Sequence, residues 1–162
     1  MPTRRTVLQS LVASLAAPSI ARAEGSRVLR FVPQADLAVL DPIWTTSYQT
    51  RDHGFLVFDT LFGLDSQFHA QPQMAELATT EDGGKTWRIT LRQGLAFHDA
   101  TRVLARDAAA SIRRWGARDG FGQALLAVCD EIAAPDDRTL VFRLKRAFPL
   151  LPDALAKTPP SM

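Results

Sequence analysis

The stretch "TTEDGGKTWRITLRQGLAFHDATRVLARDAAASIRRW", residues 79–115, passes from strand alternation to helical spacing, and that passage decides the fold class. Asp82-Gly83-Gly84 separates two β-forming runs, and glycine supplies the positive φ that a tight turn needs. After the turn Trp87, Ile89 and Leu91 alternate with Arg88, Thr90 and Arg92, which predicts a strand with one wet face. A one-residue slip would expose all three apolar side chains, so the pattern fixes the register. From about Val103 the spacing lengthens. Ala105, Ala108, Ala109, Ile112 and Trp115 share one helical stripe that ends before Gly116.

Outward from this stretch the order stays mixed. A glycine-bearing loop is followed by a helix expected from roughly Gln123 to Ala133. The run "APDDRT" then turns the chain into a strand where Leu140, Phe142 and Leu144 alternate with Val141, Arg143 and Lys145. Residues 149–162 read as a weak helix and a proline-rich end. Upstream, "RVLRFVP" (27–33) is β-rich without alternation, as suits a strand buried on both faces. Residues 37–50 form a loop with an Asp-Pro turn, residues 53–63 a short helix stopped by Gly63, and residues 64–76 another loop. Strands meeting helices around one hairpin place the chain in the mixed α/β class.

The first 23 residues read as a leader. Arg4 and Arg5 precede a mildly apolar run from Val7 to Ile20, and Ala21-Arg22-Ala23 is the small-x-small pattern of a signal-peptidase site, with cleavage after Ala23. The run is too short to span a bilayer, which takes about 20 apolar residues. Thr3 to Gln9 is similar to the twin-arginine export signal; an ordinary secretory signal with adjacent arginines is the alternative. No cysteine follows the cut to carry a lipid, so a free periplasmic protein is expected. Removing three arginines leaves 16 basic and 17 acidic side chains, a net charge of −1. The sequence pI of about 9.1 therefore carries no implication of nucleic acid or anionic lipid, and the sequence shows no basic stripe. Cys129 is the only cysteine, which rules out an intrachain disulfide. Its apolar helical setting suits a buried small hydrophobe better than a nucleophile. The remaining 139 residues suffice for one modest domain.

Chemical motifs are sparse. His53, His69 and His98 have no partner ligand at helical spacing, and adjacent side chains such as His98 and Asp99 diverge. "DGFG" (119–122) lacks the spacing of a phosphate or dinucleotide loop, and no serine sits in a Gly-x-Ser-x-Gly setting. The residues offer no catalytic set, no metal site and no cofactor.

A resemblance supplies the function. Ala75-Glu76, Asp82-Gly83, Lys85-Thr86-Trp87, Leu91-Arg92-Gln93-Gly94, Phe97-His98-Asp99, Asp107 and Ser111 to Arg114 reproduce the signature order of the family 5 extracellular solute-binding proteins. "LRFVPQADLAVLDP", "FDTLFG" and "DDRTLVFRLKRAFPLL" extend the resemblance across residues 28–152. It implies a partial first lobe of a two-lobed periplasmic binding protein fold, with residues 24–162 as its N-terminal part and the second lobe absent, a truncated receptor. It implies capture of a small solute, such as a peptide, for an inner-membrane ABC permease, with no enzymatic activity. The alternatives are a small exported structural or interaction protein and a hydrolase or metal-dependent enzyme. Phe97-His98-Asp99 becomes a strand-to-helix turn, and Asp107, Arg113 and Arg114 suit the helix macrodipole.

The candidate recognition residues are Trp44, Thr45, Thr46, Ser47 and Tyr48, an aromatic wall with hydroxyls; an ordinary polar surface loop is the competing reading. The chain departs from the family pattern at Ala100, where glycine is usual, at Arg102, where proline is common, and at Leu104, where a threonine N-cap is common. The last departure predicts a frayed helix start.

Overall fold

The Asp82-Gly83-Gly84 turn joins two antiparallel strands, β3 (Ala75–Glu81) and β4 (Thr86–Leu91). All three turn residues have positive φ, at 52°, 65° and 88°, and Asp82 Oδ2 accepts the Thr86 hydroxyl at 2.9 Å to close the loop. Ile89 and Leu91 are buried while Arg88 and Arg92 are exposed, so the alternation in the sequence sets the face as expected. β4 pairs in turn with β6 (Thr139–Leu144), and β6 with β5 (Cys129–Ala133), giving an antiparallel sheet ordered β3-β4-β6-β5. Trp87 lies opposite Phe142 and Ile89 opposite Leu140, so the apolar side chains of the two central strands meet directly. Val141 is buried as well, which breaks the alternation expected of β6.

The computed structural model describes residues 29–156; the expected leader and the proline-rich end lie outside them. Residues 29–32 carry no strand, and Leu29, Phe31 and Val32 are all exposed. The doubly buried strand expected at 27–33 is therefore not formed among the described residues. Such a strand needs a hydrogen-bonding neighbour, and none of the described strands pairs with it.

Two helices pack with the sheet's apolar side chains. α2 (Ala105–Gly116) buries Ala105, Ala109, Ile112 and Trp115 of the expected stripe, with Ala108 half-buried, and runs one residue further than expected, through Gly116. α3 (Gly120–Val128) follows at once, capped by Asp119, whose carboxylate accepts the Phe121 and Gly122 N–H groups at 2.8 and 3.1 Å. The two glycines of "DGFG" thus have different jobs. Gly120 has open space around it. A Cβ on Gly122 would lie 2.7 Å from the Gly116 Cα and 3.0 Å from the Trp115 ring. α3 ends at Val128, five residues before the end expected for it, because Cys129 turns extended and the chain pairs with β6. Cys129 is accordingly a strand residue, half-buried, with its thiol donating to the Glu131 carbonyl at 3.2 Å. Burial pushes that thiol's pKa up, which makes it a poor nucleophile.

The N-terminal part of the fold also differs from expectation. α1 spans Tyr48–Val57, five residues earlier than the helix read at 53–63. Gly63 lies inside a strand, β1 (Phe62–Leu64), which pairs with β2 (Ala70–Pro72) in a small hairpin where a loop was expected. The hairpin loop is organised by Asp65, whose Oδ1 accepts the N–H groups of Gln67 and His69. A short helix, α4 (Leu151–Leu155), closes the described chain; it buries Leu151, Ala154 and Leu155 and packs with α3 and the small hairpin.

The Phe97-His98-Asp99 segment forms the turn before α2. Asp99 Oδ1 accepts both the N–H and the hydroxyl of Thr101, at 3.0 and 2.6 Å, and Phe97 N donates to the Thr101 carbonyl. Ala100 has φ of +67°, the left-handed conformation that glycine adopts without strain. Ala100→Gly is therefore expected to raise stability by about 1 kcal/mol. Urea denaturation would check this; a loss of stability would mean that the positive φ carries no cost here.

The helix start is not frayed. Leu104 has no side-chain acceptor, but Asp107 Oδ2 accepts its N–H at 2.9 Å, and Ala105 N donates to the Asp137 carbonyl at 2.8 Å. Half of a capping box and one tertiary bond replace the missing threonine.

Candidate functional site

The candidate recognition residues begin just after the Asp41-Pro42 turn and run into the first turn of α1. Asp41 Oδ1 accepts the Ile43 N–H at 3.0 Å, and Thr45 Oγ1 accepts the Ser47 N–H at 3.2 Å, so side chains stiffen the segment locally. Ser47 takes the N-cap position of α1 without capping it; its hydroxyl donates instead to Gln49 Oε1 at 2.7 Å. Thr50 is buried and donates to the Val39 carbonyl at 2.6 Å, tying the helix to the extended chain before it.

Two aromatic rings stand out of this segment. Trp44 is 58% exposed and Tyr48 59% exposed, and Thr46 is exposed beside them. Each ring carries an arginine on its face. The Arg118 guanidinium lies 3.3 Å from the centroid of the Trp44 ring, and that of Arg51 lies 4.4 Å from that of Tyr48. Arg114 pairs with Asp41 through two N–H groups. This bonding holds the Asp41 carboxyl below the usual carboxylate range, against the opposing effect of partial desolvation. Arg114 lies in the last turn of α2 and Arg118 two residues past its end, so together they clamp residues 41–44 by charge and by ring contact. The sequence pointed to the aromatic residues and hydroxyls but missed these arginines. Arg114 was read only as a complement to the helix dipole, and its tertiary partner lies 73 residues away.

A cleft of about 410 Å³ opens next to this surface, between the 41–43 loop, the end of α1, the 96–98 turn and α2. Ile43, Phe58, Phe97 and Val103 give it apolar walls, and none of the five candidate residues lines it. His98 sits at its edge, where Nε2 donates to the Val57 carbonyl at 3.0 Å and joins the turn to α1. His53 lies on α1 and His69 in the small hairpin loop, so the three histidines are not gathered. Among the described residues no group of three or more His, Cys, Asp or Glu side chains is placed to hold a metal ion. No described helix is long and apolar enough to cross a membrane.

Comparison with known proteins agrees with the architecture. The family model for bacterial extracellular solute-binding proteins, family 5 Middle, matches residues 69–162. The probable peptide ABC transporter periplasmic-binding protein y4tO of Sinorhizobium fredii (strain NBRC 101917 / NGR234) is 39% identical over 148 residues. That alignment covers 89% of this chain but only 28% of the relative, so the chain spans a little over a quarter of that protein's length. Among solved structures, an ABC transporter substrate-binding protein from Sinorhizobium meliloti is 27% identical with a TM-score of 0.57, over 65% of this chain and 22% of the other. The binding protein AgaA from A. tumefacien R10, in complex with agropinic acid, is 25% identical with a TM-score of 0.61, over 74% and 24%. The murein tripeptide binding protein MppA, at 21% identity and a TM-score of 0.64 over 74% and 27%, shares the fold.

Proposed function

We propose, from the premise that this chain belongs to family 5 of the bacterial extracellular solute-binding proteins, that it captures a small solute, such as a peptide, for an ABC importer. The observation that carries this is the family match over residues 69–162, joined to a 39% identical relative described as a probable peptide-binding transport component. Residues 24–162 then form the opening part of the first lobe, and Trp44, Thr45, Thr46, Ser47 and Tyr48 contribute to recognition from its surface. The partner would be an inner-membrane permease. Recognition here is binding rather than catalysis: exposed rings and hydroxyls orient a solute, and no covalent step is called for. Deleting the coding sequence from its host is expected to lower uptake of at least one labelled di- to pentapeptide, with recovery from a plasmid copy. Unchanged uptake of every peptide tried would remove the transport reading.

Export belongs to the same reading. Residues 1–23 act as a leader that delivers the chain to the periplasm, by the twin-arginine route. Arg4→Lys together with Arg5→Lys keeps the charge and is expected to abolish delivery of a fused reporter that must fold before export. Delivery at the original level would point to the general secretory route instead.

A further inference from the structure

We propose that Arg118, held face-on against Trp44, anchors the carboxylate of an anionic solute at the Trp44–Tyr48 surface. This deepens the capture reading and rests on it. The other charges at this surface are already satisfied. Both oxygens of Asp41 are engaged by Arg114, and Arg51 has Asp52 at 3.4 Å. Arg118 makes no ion pair among the described residues, and its side-chain partner there is the Trp44 ring. Arg118 acts on Asp41 only through longer-range attraction, behind the direct bonds of Arg114, so its N–H groups are not spent on an ion pair among the described residues.

The geometry makes that charge useful. The Trp44 ring covers one side of the guanidinium, whose in-plane N–H groups form the fork that matches a carboxylate. The ring also restricts the arginine, so less rotamer freedom is lost when a ligand binds. Trp44 remains 58% exposed and offers contact area to the ligand body, while the exposed Thr46 supplies a hydroxyl within the same segment. A ligand with a carboxylate beside a compact body, such as a short peptide's C-terminus or an acidic conjugate, fits this chemistry. A neutral or cationic equivalent does not.

The test follows the indole N–H resonance of Trp44 in the ¹⁵N-labelled chain, assigned with Trp44→Phe, during titration with trialanine and with trialanine amide. The acid is expected to shift the resonance saturably, with at least five-fold stronger binding than the amide. Arg118→Gln should erase that difference and Arg118→Lys should retain only part of it. Arg88→Gln, an exposed strand arginine paired with Glu81, should leave it intact. Equal responses to acid and amide, or an undiminished difference in Arg118→Gln, would overturn the anchor while leaving solute capture standing. Absence of any response to either peptide would also overturn the anchor, and the uptake assay would then judge capture by itself.

Discussion

Replacing Phe142 with alanine is expected to lower folding stability by about 3–5 kcal/mol. Phe142 is fully buried on β6, a central strand, with Trp87 opposite it on β4 and Ile132 opposite it on β5. It joins a core that includes Ile112 and Trp115 of α2 and Leu125 of α3. Truncating it removes a large apolar side chain and leaves a cavity that a strand paired on both sides cannot close. Total stability of a domain is about 5–15 kcal/mol, so the variant should be close to unfolding at growth temperature. Chemical denaturation should show a much lower midpoint at an unchanged slope. A cost below about 1 kcal/mol would mean that β6 is not central to the core.

The second large effect is expected at Gly122. Alanine there gains up to about 1 kcal/mol of helix propensity, which alone would stabilise α3. The added Cβ, however, meets the Gly116 Cα at 2.7 Å, and that neighbour is backbone rather than a movable side-chain tip. Separating α2 from α3 there should cost about 1–3 kcal/mol net, as overpacking does in close-packed interiors. Gly120→Ala is the built-in comparison, since nothing lies within 4 Å of its Cβ position. It should be neutral or slightly stabilising. Thermal melts of the two variants should move apart, and a destabilised Gly120→Ala beside an unaffected Gly122→Ala would contradict the assigned helix crossing.

The contrast between these glycines shows where sequence reading reaches its limit. The Asp82-Gly83-Gly84 turn and the α2 stripe were legible because each pattern is local: φ requirements in one case, one repeating face in the other. Ala100 was legible only through the family resemblance, as an alanine where glycine is usual, and its φ is positive. Elements defined by distant pairing were not. Cys129–Ala133 continues an apolar helical pattern without a glycine or proline to stop it, yet β6 draws it into the sheet. Phe62–Leu64 became a strand because β2 pairs with it across a loop held by Asp65. Short apolar runs permit either state, and tertiary contacts choose. The candidate recognition surface divides in the same way. Trp44 and Tyr48 could be read from composition, but the arginines on their rings include Arg118, which only folding brings to Trp44.

The most direct measurement of the capture surface is photo-crosslinking with a diazirine-bearing peptide mixture in periplasmic extract from the native host, followed by tryptic mapping. Arg30 and Arg51 bound a single tryptic segment, residues 31–51, that contains all five candidate residues. If solute is held at the Trp44–Tyr48 surface, that segment carries the label, and an excess of unlabelled acid peptide removes it. Label confined to residues 93–102, the segment holding the Phe97-His98-Asp99 turn beside the cleft, or no competable label anywhere on the chain, would contradict the account.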